Sequence, residues 1–105
     1  MKLITKEIQE KLDKNMTLAE EARRPVLKLF GGAATWLISE KEGDILFGLC
    51  DLGMGHPELG YVSFEELQSV KVPPFGLGIE RDMYWAPDKT LAEYATEAGE
   101  RGFLE

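Results

Sequence analysis

The stretch VLKLFGGAATWLISEKEGDILFGLC, Val26 to Cys50, decides the fold. After Pro25 it runs Val26-Leu27-Lys28-Leu29-Phe30, breaks at Gly31-Gly32, and resumes as Ala33-Ala34-Thr35-Trp36-Leu37-Ile38-Ser39-Glu40. A second break, Lys41-Glu42-Gly43-Asp44, leads into Ile45-Leu46-Phe47-Gly48-Leu49-Cys50. Apolar runs bounded by glycine turns read as strands, and connections this short join antiparallel neighbours, so the stretch predicts a three-stranded meander.

Upstream, Ile4, Ile8 and Leu12 recur every fourth residue among Lys6, Glu7, Glu10, Lys11 and Lys14. That spacing predicts an amphipathic helix over Thr5–Asn15, laid on one face of the sheet. Leu18–Arg24 has a helix-favouring composition but is short, and Pro25 stops it. Downstream, Asp51–Leu59 reads as a loop with two glycines and a proline, before a short strand at Gly60-Tyr61-Val62.

Ser63-Phe64-Glu65-Glu66 has the spacing of a capping box, with Glu66 expected to reach back, and predicts a helix from Phe64 to Val70 with Phe64, Leu67 and Val70 inward. Pro73-Pro74 cannot continue it. Ile79 to Trp85 alternates as a last strand, placing Ile79, Arg81, Met83 and Trp85 on one side. A second capping box, Thr90-Leu91-Ala92-Glu93, opens a C-terminal helix through about Ala98, ending near Gly99. The whole reads as a single α+β domain over 1–105, with an antiparallel sheet of four or five strands and N-terminal, middle and C-terminal helices. Leu104-Glu105 are also compatible with a cloning remnant and carry no part of this reading.

Composition excludes several activities without selecting one. A single cysteine, Cys50, and a single histidine, His56, rule out an internal disulfide and a structural zinc site. No cofactor motif is present, and Gly76-Leu77-Gly78 lacks the Lys-Ser/Thr of a phosphate loop, so no cofactor or metal is expected. Nineteen acids against twelve bases argue against a large phosphate-contacting surface. No apolar run approaches the roughly 20 residues of a membrane span, and the first residues lack the apolar stretch of a secretory signal, which points to the cytoplasm.

Two groups of residues carry the candidate chemistry. The first is acidic: residues 40–66 hold seven acids (Glu40, Glu42, Asp44, Asp51, Glu58, Glu65 and Glu66) against one base, Lys41. Such a field repels nucleic acid and attracts a basic protein surface, unless it serves only solubility. The second is Asp51, His56 and Glu58 on a glycine-rich loop, joined by Arg81, a set with the elements of acid/base catalysis. Its plainer reading is a solvated loop, with Arg81 held in a structural ion pair by Glu58 or Asp51. Cys50 reads as a small buried side chain in preference to a nucleophile activated by His56.

Several segments together resemble an uncharacterised bacterial family catalogued as domain of unknown function 2958. They are Met1-Lys2-Leu3-Ile4-Thr5-Lys6-Glu7, Phe47-Gly48-Leu49, Pro57-Glu58-Leu59-Gly60-Tyr61, Ser63 to Lys71 and, most specifically, Phe75-Gly76-Leu77-Gly78-Ile79-Glu80-Arg81-Asp82-Met83-Tyr84-Trp85. The chain departs from that pattern at Gly78, where proline is expected, and between Phe30 and Glu40, where only Trp36 remains of several aromatics. The resemblance implies cargo of plasmids, conjugative elements and phages, often beside genes that counter host restriction; it implies no reaction.

Three functions follow as expectations. The foremost is a non-enzymatic protein-binding module, an acidic inhibitor or modulator of host nucleic-acid defence machinery, with Glu40, Glu42, Asp44, Glu58, Glu65 and Glu66 contacting a basic partner protein. The alternative is a small hydrolase built on Asp51, His56, Glu58 and Arg81. Direct nucleic-acid binding through Lys2, Lys6, Lys11 and Lys14 ranks last, because Glu7, Glu10 and Asp13 are interleaved with them.

Overall fold

Alternation in the central strands produces two apolar faces, so the sheet has to be covered on both sides. A computed structural model describes residues 2–104. The elements in chain order are α1 (Lys6–Asn15), a 3-10 turn (Glu20–Ala22), β1 (Leu27–Gly31), β2 (Ala34–Glu42), β3 (Ile45–Asp51), β4 (Glu58–Ser63), α2 (Phe64–Ser69), β5 (Glu80–Arg81) and α3 (Leu91–Arg101). The fold is α+β: an antiparallel five-stranded sheet in the order β4-β3-β2-β1-β5.

Leu27 and Leu29 of β1, Trp36 and Ile38 of β2 and Leu46 of β3 bury one face against Leu12 of α1 and Leu67 of α2. Leu37 and Leu49 bury the other against Leu91 and Ala98 of α3. The two hairpins of the meander turn through Gly32 and Gly43, both at positive φ, where a Cβ would be strained. Among the described residues no helix is long and apolar enough to cross a membrane.

Helix α1 begins one residue later than the apolar spacing predicts, because Thr5 is its cap and its hydroxyl accepts the Ile8 N–H at 3.3 Å. Leu12 is buried and Ile8 half-buried as expected, while Ile4 reaches the same core from the extended segment before the helix. The helix expected over Leu18–Arg24 is only the turn Glu20–Ala22, none of whose residues is buried. Without an apolar face, helix propensity does not overcome the cost of nucleation, and Pro25 bars the preceding residue from helical geometry.

Helix α2 has half of its expected box. Ser63 Oγ accepts the Glu66 N–H at 3.2 Å, but it is Asp44, from the β2–β3 turn, that completes the cap. Its carboxylate accepts the Ser63 hydroxyl and the Glu65 N–H, and its backbone carbonyl accepts the Phe64 N–H.

Strand β5 is much shorter than the alternation over Ile79–Trp85 predicts. Leu29 pairs with Arg81 and Phe30 with Glu80, after which the Asp82 carboxylate captures the Tyr84 N–H at 3.0 Å and turns the chain. Met83 and Tyr84 are consequently in solvent, and Trp85 crosses to the α3 side of the sheet.

Helix α3 runs past Gly99 to Arg101 and ends at Gly102, whose left-handed φ of 82° makes it the capping glycine. Leu104 packs on the α3 core; Glu105 lies outside the described residues. The Thr90–Glu93 box is complete: the Glu93 carboxylate accepts the Thr90 N–H at 2.9 Å and its hydroxyl at 3.0 Å. These bonds hold the Glu93 carboxyl below its ordinary pKa, and the Tyr94 hydroxyl, donating at 2.7 Å, does the same for Asp88.

A lowered folded-state pKa contributes stability that is complete above the ordinary carboxylate range and is lost as pH falls through the folded value. The first turn of α3 is therefore expected to loosen below about pH 4. Protection factors of the Thr90 and Glu93 amides, taken against the intrinsic exchange rate at each pH, should fall there, and Glu93→Gln should flatten the response.

Candidate functional site

The sheet register separates Arg81 from the other members of the acid/base set. Glu58, Cys50, Trp36, Leu29 and Arg81 form one row across the five strands, with Glu58 and Arg81 on opposite edges. Four strand spacings separate them, on the order of 19 Å, so the expected ion pair between Arg81 and Glu58 does not form. A half-buried pair forms elsewhere, Arg23–Glu40 at 2.9 Å, and Arg23 also donates from Nε to the Leu18 carbonyl.

Asp51 is buried at the end of β3, where its two carboxylate oxygens accept the Gly53 and Leu104 N–H groups, each at 2.8 Å. Its work is to tie the loop and the chain end to the sheet. His56 is exposed on that loop. Cys50 is half-buried against the α1 side of the sheet, and burial pushes its thiol pKa up, which disfavours the thiolate a nucleophile needs. Among the described residues no three His, Cys, Asp or Glu side chains are placed to hold a metal ion.

The tie made by Asp51 is directly testable. Asp51→Ala strands two N–H groups and is expected to cost about 2–3 kcal/mol. Exchange of the Leu104 amide should rise well beyond that of the β2–β3 ladder, showing that the chain end has detached.

The acidic residues divide in the fold. Past the irregularity between Ile38 and Glu40, β2 pairs Glu40 with Phe47 and Glu42 with Ile45, and Phe47 in turn pairs with Tyr61. Glu40, Glu42, Phe47 and Tyr61 thus share the α3 side of the sheet, on the part of it nearest the β2–β3 turn. Asp44 sits in that turn and Glu65 and Glu66 in the first turn of α2 beside it. Glu58 is at the far end of β4. Two of the expected contact residues are occupied within the chain: Glu40 by Arg23, and Asp44 by the cap of α2.

Helix α3 covers only part of its face. Beside it lies a hollow of about 300 Å³ between the Glu20–Ala22 turn, the start of α3 and the sheet, lined by Glu20, Glu21, Glu40, Phe47, Leu59, Tyr61, Leu91 and Ala92, together with Ser39. A second hollow of about 290 Å³, reaching Met16, Glu42 and Ile45, shares Glu40, Phe47 and Tyr61 with the first. Tyr61 is 75% exposed, and its ring stands 4.9 Å from that of Phe47 at 55°.

Ser39 is the residue opposite which the register slips. It is fully buried, its carbonyl accepts from Asn15 Nδ2 at 2.8 Å, and its hydroxyl has no hydrogen-bond partner among the described residues. Sequence reading assigned none of Glu20, Glu21, Ser39, Phe47, Leu59 and Tyr61 to a site. The alternation of Leu59 and Tyr61 was the available signal, since it places two apolar residues on the same side of an edge strand.

No curated protein and no solved structure matches the chain. The family pattern does, over residues 3–105, nearly the whole length, in agreement with the segments from the first helix to Trp85 that resemble it. The chain belongs to the family described as Protein of unknown function (DUF2958).

Proposed function

We propose that the chain is a non-enzymatic protein-binding module that receives a basic partner surface on the uncovered, α3-side part of its sheet. The observation that carries this reading is the pair Phe47 and Tyr61, left open beside α3 within a rim of Glu20, Glu21, Glu40 and Glu42. An exposed aromatic, Tyr61, backed by half-buried Phe47 at the centre with charge at the edge is the anatomy of an interface, and the net charge of −7 favours a cationic partner. With the setting that the family resemblance implies, the partner we propose is the nucleic-acid-holding surface of a host defence complex, met in the cytoplasm. The acid/base alternative is less favoured, since Arg81 stands at the sheet edge opposite Glu58 and the Asp51 carboxylate is taken up by the Gly53 and Leu104 N–H groups.

A photo-crosslinker placed at Tyr61 captures the partner for purification, after which affinity is measured against ionic strength. Affinity is expected to fall steeply as the Debye length contracts from roughly 30 Å to about 8 Å. The variant carrying Glu20→Lys, Glu21→Lys and Glu42→Lys should not bind, while His56→Ala should bind normally. These positions replace Glu40 and Asp44 in the test, because reversing either of those would also disturb the fold. Binding that ignores both salt and the reversals sinks the proposal.

A further inference from the structure

We infer that the free edge of β4 takes up an extended, basic segment of a partner protein as a sixth, antiparallel strand. The inference rests on the binding reading above and names the form in which the partner arrives.

The register fixes which backbone groups are on offer. The Phe64 N–H donates to the Asp44 carbonyl at 2.8 Å, one step beyond the Ile45–Ser63 pair. Hydrogen-bonded and non-bonded pairs alternate along an antiparallel ladder, so Glu58, Gly60 and Val62 are the residues that exchange bonds with β3. Leu59 and Tyr61 therefore turn both N–H and C=O away from the sheet, where no described residue takes them up. Proteins normally blunt such an edge, and the two edges of this sheet differ in that respect. Strand β5 is two residues long and is ended by the Asp82 turn. Strand β4 is six residues long, holds neither proline nor lysine, and pairs with β3 without a register break. At its middle, Gly60 leaves the α1 side open, since a Cβ there would meet nothing within 4 Å, and such a strand glycine suits the close approach of another backbone.

Charge selects the occupant. Glu58 begins β4, and Glu65 and Glu66 follow its end in the first turn of α2. The one base in residues 40–66, Lys41, is on β2, two strands in from the edge. An incoming strand thus passes carboxylates at both ends, which suits lysine or arginine and turns away a second copy of this acidic chain. Its residues opposite Leu59 and Tyr61 exchange hydrogen bonds with them and lie on the α3 side, where those two side chains are exposed. The alternate residues lie opposite Glu58 and Gly60 on the α1 side. Apolar residues fit the first set and basic ones the second, with the main-chain bonds supplying affinity and the side chains selectivity.

The test adds capped hexapeptides that alternate valine with lysine to the isotope-labelled full chain and follows amide exchange by NMR. In the free protein the Leu59 and Tyr61 amides should exchange faster than those of Gly60 and Val62. Peptide at about ten times its Kd should slow the first pair roughly tenfold and leave the second unchanged. Methylating the valine nitrogens should abolish binding, because those N–H groups face β4, whereas methylating the lysine nitrogens should alter affinity less than about threefold. The peptide alternating valine with glutamate should not bind, and the lysine peptide should weaken with salt. Leu59→Pro, which removes an outward N–H, should abolish binding, while Leu59→Ala, which keeps it, should lower affinity by no more than about fivefold. The methylated peptides are read on the native chain, so the outcome does not depend on how well Leu59→Pro folds.

Any methylation pattern other than valine-sensitive and lysine-tolerant overturns the inference, as does equal binding of the lysine and glutamate peptides, or no binding at millimolar peptide. Slow exchange of Leu59 and Tyr61 in the free protein that depends on protein concentration also overturns it, because a second copy would then hold the edge. If the purified partner is lost on the charge reversals above but still binds folded Leu59→Pro and leaves the Leu59 and Tyr61 amides exchanging, strand addition is wrong and the broader binding function stands. If neither the reversals nor Leu59→Pro affects the partner, both fail.

Discussion

Gly48→Ala is expected to destabilise the domain by about 3 kcal/mol or more, a large share of the roughly 5–15 kcal/mol available to a domain of this size. Gly48 pairs with Ile38 where the β2–β3 register is about to slip, and there the β2 backbone lies directly over it. A Cβ at this position would be driven into the Leu37 carbonyl oxygen and would stand 2.9 Å from Ile38 Cα. Backbone cannot rotate out of the way as a side chain can, so relief requires the central hairpin to open. The hairpin holds Leu37 and Leu49 for one core and Ile38 and Leu46 for the other, and opening it damages both. Urea unfolding measures the effect. A change under about 1 kcal/mol would mean that the two strands separate more easily than a ladder between two cores should.

Asn15→Ala is expected to cost about 2–4 kcal/mol and to lower the melting midpoint by on the order of 10–20 °C. Asn15 is a buried polar residue at the end of α1, and its Nδ2 donates to the Arg24 carbonyl at 2.9 Å and the Ser39 carbonyl at 2.8 Å. One amide therefore ties α1 to the segment entering β1 and to the irregular point of β2. Alanine leaves two carbonyls without this donor. Asn15→Asp should be worse, since a carboxylate would face two acceptors with nothing to donate. Because Ser39 is the residue held, Asn15→Ala should also broaden the NMR signals of Phe47 and Tyr61, which an effect confined to α1 would leave sharp.

The meander was legible because both of its turns carry glycine where the chain reverses and because its three runs are apolar and short. Ile8 and Leu12 marked the face of α1 for the same kind of reason, and Thr90 with Glu93 marked the start of α3. What escaped the sequence depended on partners distant along the chain. Asp44 caps α2 from 19 and 21 residues away, a role that looks like free surface charge when only neighbours are considered. The slip at Ser39 decides that Glu40 joins Phe47 on the α3 side, and nothing in Ile38-Ser39-Glu40 announces it. Arg81 was expected beside an acid because alternation turned it toward apolar neighbours; its neighbours in the row were right, but strand order placed Glu58 at the opposite edge. The hollow over Ser39 lies between elements on either side of the meander, so no local window contains it.

Strand β5 reaches its place beside β1 from some fifty positions further along the chain, whereas every pairing among β1, β2, β3 and β4 joins consecutive segments. Loop-closure entropy favours the local pairs, so the meander is the part able to form early, and β5 with the α3 side must dock onto it late. The order of assembly has a kinetic meaning. Contacts inside the meander set how fast the chain folds, while those that fasten β5, α3 and Leu104 set how long the folded state lasts before it opens.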